Sequence, residues 1–363
     1  MLFRSLRSLN YKIFLLFIVF VGTLIFTACE PTEEVTTITV VDMVGDTIEV
    51  PINPARVAVI ARAAADMMIG FGLGDSVDGM YYSVLTNPWV DTIYPNVENY
   101  YSYEYNESAE LFLSRGVDLV IAPEKYIADG LRESGVNAIT VSLYGNPNYD
   151  TYIYALSDLI KQIWPDSLES VNQWQEELDE ALNEITDVLS QQSIEKRTIY
   201  YVRGDKDKGI GYTDTGSSLL ETVYGKYLNM TYIGGDFESN KPSAEAIMSK
   251  NPDVVVIGGI YQNKLINDIK TLEPYKLLDA VIESDVYNIP IGFVMWEQNS
   301  VALPLFVYDQ ANKLYPELFN FDIEILTKTS FENYFNFTLS DQQINYMLNG
   351  LDPEGNEMYS DNE

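Results

Sequence analysis

One long amphipathic segment, residues 166–192, limits the folds open to this chain more than any other feature. Its apolar residues recur at steps of three and four, so they would form one stripe along an α-helix. Pro165, a capping candidate at Asp166 and an acid at Glu169 predict where that helix begins. At 1.5 Å per residue it would be roughly 35–40 Å long, which is enough to cross a whole domain. The predicted stripe consists of Leu168, Val171, Trp174, Leu178, Ala181, Leu182, Ile185, Val188 and Leu189.

Two segments with the same pattern flank this helix. A Ser-Ala-Glu triplet stands at 108–110 and another at 243–245, and each opens a short amphipathic helix. Eight residues after each glutamate an aspartate, Asp118 or Asp253, precedes a run typical of a buried strand. A helix–strand unit repeated on both sides of a long helix predicts two lobes of the same design. Chance similarity between two generic units is the alternative.

Strand patterns alternate with helix patterns throughout, which favours parallel sheets. We therefore predict an α/β fold with two lobes, each with a mainly parallel sheet flanked by helices, joined by one long α-helix. The predicted N-terminal lobe spans residues 38–150, and residues 151–196 hold a helix followed by the long linker helix. The C-terminal lobe spans 197–350 and includes a closing helix at 301–315, and a disordered tail covers 351–363.

The first residues have the pattern of an export signal. Residues 1–12 carry Arg4, Arg7 and Lys12 with no acid, and 13–26 are almost entirely apolar but too short for a comfortable bilayer span. The Ala28-Cys29 pair that follows resembles the bacterial lipobox, in which a small residue precedes a lipidated cysteine. We predict a signal peptide at 1–28, lipidation of Cys29, a polar tether at 29–37 and a position on the extracytoplasmic face of the membrane. The alternative is an uncleaved anchor.

The charge of the chain limits its possible binding partners, and its cysteine content limits how the fold can be stabilised. Beyond residue 28 the chain has 19 basic and 54 acidic residues, a formal charge of −35. Such a charge argues against nucleic acid or an anionic membrane surface as a partner. Cys29 is the only cysteine of the 363 residues, so the mature protein depends on its core and has no disulfide framework.

The absence of histidine removes several kinds of chemistry. It excludes Ser-His-Asp and Cys-His catalysis and histidine-ligated metal or haem sites. The triplet at 214–216, Asp-Thr-Gly, matches the aspartic-protease motif but has no second copy, and we interpret Asp214 as a helix N-cap. The segment 205–209 departs from calcium-loop spacing. No resident metal or cofactor is predicted.

Polar and aromatic residues that follow the predicted strands are the candidates for ligand contact. In open α/β sheets, ligands bind beyond the carboxyl ends of the strands. Two arginines together with aromatic rings suit a large anionic, aromatic or metal-chelate ligand, although each residue taken singly also fits an exposed rim position. The candidates are Arg62, Tyr82, Tyr144, Arg203, Tyr261 and Trp296.

From about residue 38 to 351 the chain resembles the periplasmic binding proteins for iron complexes, haem and cobalamin that serve ABC importers. The matching segments are VVDMVGDTIEVPINPARVAVI, VDLVIAP, PDVVVIGG, the long helix and VYNIPIGFVMWEQNS. The resemblance implies a non-enzymatic, monomeric receptor that passes an iron–siderophore-type chelate to an ABC importer permease. It also implies that Glu110 and Glu245 form salt bridges with permease arginines. As first-turn acids they would in any case favour the helix dipole.

Other functions stay open. The same fold could bind haem or cobalamin; the lack of histidine disfavours haem, but a tyrosinate ligand to its iron stays open. An exported glycosidase with paired carboxylates belongs to a different class, but no pair stands out among the acids. A surface adhesin is a third alternative, and a protein of that kind would not need a ligand-binding cleft.

Overall fold

The computed structural model describes residues 36–142, 153–204, 209–216 and 218–359. From Thr37 onwards they form one compact unit, in which two parallel sheets flanked by helices are joined by one long α-helix. This confirms the predicted fold class. The predicted signal peptide, Cys29 and Tyr144 lie outside the described residues.

The N-terminal lobe begins with an antiparallel hairpin, β1 (Thr37–Val41) and β2 (Thr47–Pro51). A parallel sheet follows with the strand order β5-β4-β3-β6-β7. Its strands are β3 (Val57–Val59), β4 (Val77–Tyr81), β5 (Tyr101–Tyr103), β6 (Leu119–Ala122) and β7 (Ala138–Thr140). Its helices are α1 (Arg62–Gly70), α2 (Tyr82–Leu85), α3 (Pro88–Ile93), α4 (Ala109–Arg115) and α5 (Lys125–Glu133), with 3₁₀ turns at Gly74–Ser76 and Pro95–Asn99.

The linker consists of α6 (Ala155–Ile163), a 3₁₀ turn (Pro165–Ser167) and the long helix α7 (Leu168–Ser190). The 23 residues of α7 span roughly 35 Å at 1.5 Å each. Its stripe from Val171 to Leu189 is buried as predicted except at Val188, which is half-buried, and Leu168 is 49% exposed. The predicted cap at Asp166 is wrong, because this residue lies inside the 3₁₀ turn that feeds the helix.

The C-terminal lobe has a parallel sheet with the order β11-β10-β8-β9. Its strands are β8 (Thr198–Val202), β9 (Thr231–Tyr232), β10 (Val254–Ile257) and β11 (Val286–Asn288). Its helices are α8 (Leu219–Thr222), α9 (Ala244–Lys250), α10 (Gln262–Thr271), α11 (Asp279–Ile282), α12 (Leu303–Leu314), α13 (Ile323–Phe335) and α14 (Asp341–Leu348). A π turn covers Val223–Tyr227, and 3₁₀ turns cover Gly209–Gly211, Gly234–Asp236 and Tyr275–Leu277.

The end of the chain differs from the prediction in two ways. Helix α12 does not close the fold, because α13 and α14 follow it. Residues 351–359 also pack on the rest of the protein. The Trp89 indole N–H donates to the Leu351 carbonyl (2.8 Å), and the ring centroids of Tyr359 and Tyr261 are 4.2 Å apart. The prediction of a disordered tail is therefore wrong for 351–359, and the rest of it lies outside the described residues.

The two sheets share one topology, because β4-β3-β6-β7 and β9-β8-β10-β11 have the same order and direction. The repeated aspartates hold equivalent positions in them. Asp118, just before β6, accepts hydrogen bonds from the backbone N–H of Ala55 and Arg56 (3.0 and 2.9 Å), which lead into β3. Asp253, just before β10, accepts from the N–H and hydroxyl of Thr198, the first residue of β8 (both 2.7 Å). Each aspartate thus joins the starts of two neighbouring strands.

Side chains alternate between two apolar layers in both sheets, as strand geometry requires. In the N-terminal sheet Val57 and Val59 face a core that runs through the whole molecule, whereas Ala58 faces helices α4 and α5. In the C-terminal sheet Ile199 faces the same shared core and Tyr200 faces the opposite layer. The buried stripe of α7 belongs to the shared core, which therefore connects both lobes.

Hydrogen bonds also join the lobes directly. The backbone of Val301, just before α12, is held on both sides: its N–H donates to Asp66 of α1 (3.0 Å), and its carbonyl accepts from the Trp174 indole of α7 (3.1 Å). Asn87 donates to the carbonyls of Gly292 and Phe293 (2.9 and 3.0 Å). Polar contacts therefore fix the lobes to each other as well as to the linker helix.

Candidate ligand cleft between the lobes

A cleft of about 350 Å³ lies between the lobes, at the carboxyl ends of their strands. The N-terminal lobe contributes residues from the starts of α1, α2 and α3, and the C-terminal lobe contributes loops beyond β8, β10 and β11. This is the place where ligands bind in open parallel sheets. The volume is at the lower end of the roughly 300–1,000 Å³ usual for small-molecule sites.

Arg62 is the charged residue on the N-terminal side of the cleft. It begins α1 just beyond β3, and its Nη2 donates to the Ser83 hydroxyl at 3.0 Å. Its guanidinium lies 5.9 Å from the ring centroid of Tyr81, within cation–π range. The ring of Tyr82 lies 4.8 Å from that of Tyr81, but Tyr82 is 42% exposed and does not line the cleft.

Arg203 is its counterpart in the C-terminal lobe, directly after β8. Its Nη1 lies 3.2 Å from Asp214 and 3.3 Å from the Tyr212 hydroxyl, and its backbone N–H donates to the Tyr212 carbonyl. Burial raises the pKa of Asp214, and the Arg203 guanidinium opposes that rise. The interpretation of Asp214 as a helix N-cap is wrong, because Ser218 caps α8.

A second carboxyl group, Glu297, lines the C-terminal side and is 7% exposed. Its Oε1 accepts hydrogen bonds from the Tyr201 hydroxyl (3.1 Å) and the Gly259 N–H (3.2 Å). Burial raises the pKa of Glu297 to about 7, against the lowering effect of its own backbone and of the hydrogen bonds from Tyr201 and Gly259.

The structure brings some of the predicted residues together but not all of them. Arg62, Arg203 and Tyr261 line the cleft, and Tyr82 lies beside it. The prediction for Trp296 is wrong: its side chain is fully buried, because Met295 and Glu297 on either side of it face the cleft.

Sequence reasoning missed several polar residues of the cleft. Ser83 follows the end of β4 by two residues, so the rule of strand ends would have included it. Glu297 was signalled as the acid that ends the apolar run 293–296, whereas Tyr212 and Asp214 lie ten and twelve residues beyond β8 and no local pattern marks them. The polar cleft residues that the sequence analysis did not name as ligand contacts are Ser83, Tyr201, Tyr212, Asp214, Glu297 and Gln298.

Glu110 and Glu245 are exposed first-turn residues of α4 and α9. In each helix the serine at the N-cap accepts a backbone hydrogen bond, from Leu111 N (3.3 Å) in α4 and Ala246 N (3.2 Å) in α9. The backbone N–H of Glu245 and the Ser243 hydroxyl lower the pKa of Glu245. Both helices run back towards the strands β6 and β10, so their N-termini lie at the carboxyl edges of the two sheets, the edges that bear the cleft.

The described residues contain neither a membrane-spanning helix nor a cluster of metal-binding side chains. None of the helices there combines the length and the hydropathy that crossing a bilayer would need. In the same ranges, no group of three or more histidine, cysteine, aspartate or glutamate side chains could hold a metal ion.

No model of a known protein family matches the sequence, and no curated protein matches it either. Solved structures do match. A periplasmic solute-binding protein from Veillonella parvula is 19% identical with a TM-score of 0.66, over 88% of this chain and 99% of that one. The molybdate-binding protein MolA from Haemophilus influenzae, bound to molybdate, is 13% identical with a TM-score of 0.71, over 84% and 99%.

A third match is an ABC-type Fe³⁺-hydroxamate transport protein from Saccharomonospora viridis, 16% identical with a TM-score of 0.59, over 76% of this chain and 98% of that one. At these identities the likeness concerns the fold. It confirms at that level the resemblance predicted from the sequence: the chain has the two-lobed fold of the periplasmic solute-binding proteins of ABC transporters.

Proposed function

We propose that this protein is an extracytoplasmic receptor that binds an iron–siderophore-type chelate between its lobes and delivers it to an ABC importer permease. The observation that carries the proposal is the pair of arginines, Arg62 and Arg203. They follow topologically equivalent strands, β3 and β8, and line the same cleft from opposite lobes. Guanidinium groups that converge on one space suit an anionic, oxygen-rich ligand.

The proposed role is non-enzymatic. Asp214 and Glu297 do lie in one cleft, as a carboxylate-dependent glycosidase would require. However, Asp214 pairs with Arg203, and one oxygen of Glu297 is held by Tyr201 and a backbone N–H, so neither group stands as a freely placed acid or nucleophile. The solved structures with this fold are those of solute-binding and transport proteins, and one of them concerns a ferric hydroxamate.

A molybdate-type oxyanion is the second candidate ligand. The small volume of the cleft favours it, and the MolA structure, which has the same fold, contains molybdate. Haem and cobalamin are alternatives that a cleft of about 350 Å³ would leave largely exposed. A ferric chelate of moderate size could place its iron-bearing part between the arginines while the rest extends outwards.

Delivery would use the exposed glutamates on the edges that bear the cleft. Glu110 and Glu245, one in each lobe, would form salt bridges with arginines of the permease. The export pattern at residues 1–28 and the cysteine at 29 support a lipid anchor on the extracytoplasmic face, with the protein acting as a monomer.

Native mass spectrometry tests this function. The soluble chain from residue 30 is incubated separately with ferric hydroxamates, ferric catecholates, molybdate, haem and cobalamin. We expect one equivalent of a ferric chelate to remain bound. Retention of molybdate alone would identify a molybdate-type oxyanion, and not a ferric chelate, as the ligand. Turnover of a glycoside panel, or no retention of any ligand, would overturn the proposal.

A further inference from the structure

Glu297 is held in the cleft wall by only one of its two carboxyl oxygens. Oε1 accepts from Tyr201 and Gly259, as described above. Oε2 is buried and has no hydrogen-bond partner among the described residues. A buried polar atom without a partner costs free energy, so its presence needs an explanation.

The backbone around this carboxyl is shaped to receive it. A Cβ atom at Gly258 would lie 2.1 Å from Oε1 of Glu297, and Gly259 has a φ of +73°, which few other residues adopt. Two consecutive glycines therefore let the carboxyl approach the loop beyond β10 and accept the Gly259 N–H. Oε2 takes no part in these contacts.

The next residue along the same wall repeats the pattern. Gln298 also lines the cleft, and its Oε1 is likewise buried and lacks a partner within the described ranges. Two adjacent cleft-lining side chains, each with one unpartnered oxygen, indicate a surface that a ligand completes.

The groups around Glu297 favour its neutral form. The titratable groups near it are Tyr201 on β8, Asp214 in the loop beyond β8 and Tyr224 in the π turn, while Arg62 and Arg203 lie elsewhere on the cleft. Burial is the main cause of its raised pKa of about 7, and Asp214 adds to it. Because Oε1 already accepts two hydrogen bonds, the proton of the neutral form belongs on Oε2, which then becomes a donor.

We propose that Glu297 is a ligand-binding residue: its protonated Oε2 donates a hydrogen bond to an oxygen of the anionic ligand that Arg62 and Arg203 contact, and its ionised form repels that ligand. The inference rests on the proposed function and assigns a pH dependence to the same site. Because the ligand binds the protonated form, affinity is highest below pH 7 and falls as the pH rises through that value.

The test uses isothermal titration calorimetry at several pH values from 6 to 8.5, with a hexadentate ferric tris-catecholate and with molybdate as probes. Wild type is compared with Glu297→Gln, which keeps the shape and offers an N–H donor that does not titrate. The ratio of the two dissociation constants at each pH cancels any titration of the probe itself. Thermal unfolding of both proteins checks that the variant folds.

We expect Glu297→Gln to bind within about threefold of wild type at pH 6. Wild type should weaken by about tenfold or more between pH 6.5 and 8.5, as linkage to one proton requires, while the variant stays nearly constant. Glu297→Leu should lose affinity at every pH. Asp66→Asn is the matched control: Asp66 is buried, with its pKa raised to about 8, but does not line the cleft, so this variant should follow the wild-type curve.

Two results would overturn the inference while leaving the proposed function standing: a ratio of the wild-type and Glu297→Gln dissociation constants that does not change with pH, or wild-type binding that tightens at alkaline pH. If neither probe binds wild type, the proposed function for anionic ligands falls and the inference falls with it.

Discussion

The two arginines of the cleft hold equivalent positions but have different partners. Arg62 donates to the neutral hydroxyl of Ser83, whereas Arg203 lies against the acid Asp214. The chain beyond residue 28 has a formal charge of −35, so its long-range field repels an anion. Affinity for an anionic ligand must therefore come from donors within the cleft.

Arg203→Ala should weaken binding of the anionic chelate by roughly 1–3 kcal/mol, the typical contribution of a hydrogen bond to a charged group. The change also leaves Asp214, whose side chain is 11% exposed, without its cationic partner and facing the ligand. Calorimetric titration measures the effect.

Arg197→Ala is the matched control. Arg197 lies just before the opposite end of β8, is about as exposed as Arg203, and pairs with Asp285 at the same distance of 3.2 Å. Its removal should leave affinity unchanged. Equal affinity for the Arg203 variant and wild type would remove Arg203 from the site.

At the scale of elements, the repeated aspartates explain why two distant segments share a sequence pattern. Asp118 and Asp253 accept backbone hydrogen bonds at the starts of β3 and β8, the first parallel strand of each lobe. The repeat therefore reflects a structural requirement of each sheet. It also sets the positions of the glutamates, because helices α4 and α9 lead directly into these aspartates.

Asp253→Ala should lower the free energy of unfolding by about 1–3 kcal/mol, because it removes the acceptor of the Thr198 N–H and hydroxyl. Urea unfolding followed by circular dichroism measures the change. Asp236→Ala, which removes an acid paired with Lys250 on the exposed surface, should cost less than about 1 kcal/mol. Similar losses in the two variants would contradict the role of Asp253.

Elements with a strong apolar period were predictable, and those without one were not. The stripe of α7 identified that helix, but its start was misplaced because the chain enters through a 3₁₀ turn. Helix α13 was missed because Thr327 and Ser330 are buried in it while Ile325 is 62% exposed, so no apolar stripe marks its inner face. For the cleft, strand ends indicated the arginines, but only the folded chain brings Glu297 beside Tyr201.

At the scale of the whole molecule, the lobes are joined too firmly for a large hinge motion. Helix α7 spans the junction, and the backbone of Val301 is bound by Asp66 through its N–H and by Trp174 through its carbonyl. Binding should therefore change the angle between the lobes by only a few degrees.

Spin labels can measure this motion. A soluble chain starting at residue 30 has no cysteine, so labels at Glu133→Cys and Glu283→Cys report one distance between the lobes. We expect nearly the same distance distribution with and without the chelate. A shift that corresponds to closure by tens of degrees would contradict the rigid junction.

Reversing both docking charges should separate binding from transport. Glu110→Arg with Glu245→Arg would place positive charges opposite permease arginines, where repulsion suppresses the complex. Because both side chains are exposed and lie outside the cleft lining, ligand affinity should stay unchanged while uptake of the radiolabelled chelate is abolished.

Glu133→Arg with Glu283→Arg is the control for the docking pair. These residues are also exposed, one in each lobe, but Glu133 is the last residue of α5 and Glu283 directly follows α11, at the amino edges of the sheets. Uptake should survive this change. If the docking variant still transports the chelate, the role of Glu110 and Glu245 is disproved.

The apolar core that runs through both lobes has a consequence for how the chain unfolds. A fragment that ends within α7 would lack Tyr334, whose ring centroid lies 6.2 Å from that of Phe71 just after α1, and Val301, whose N–H donates to Asp66. Neither half can therefore complete its structure alone, and melting should be a single cooperative event. A ligand that binds between the lobes would then shift this one transition to higher temperature and would not split it into two.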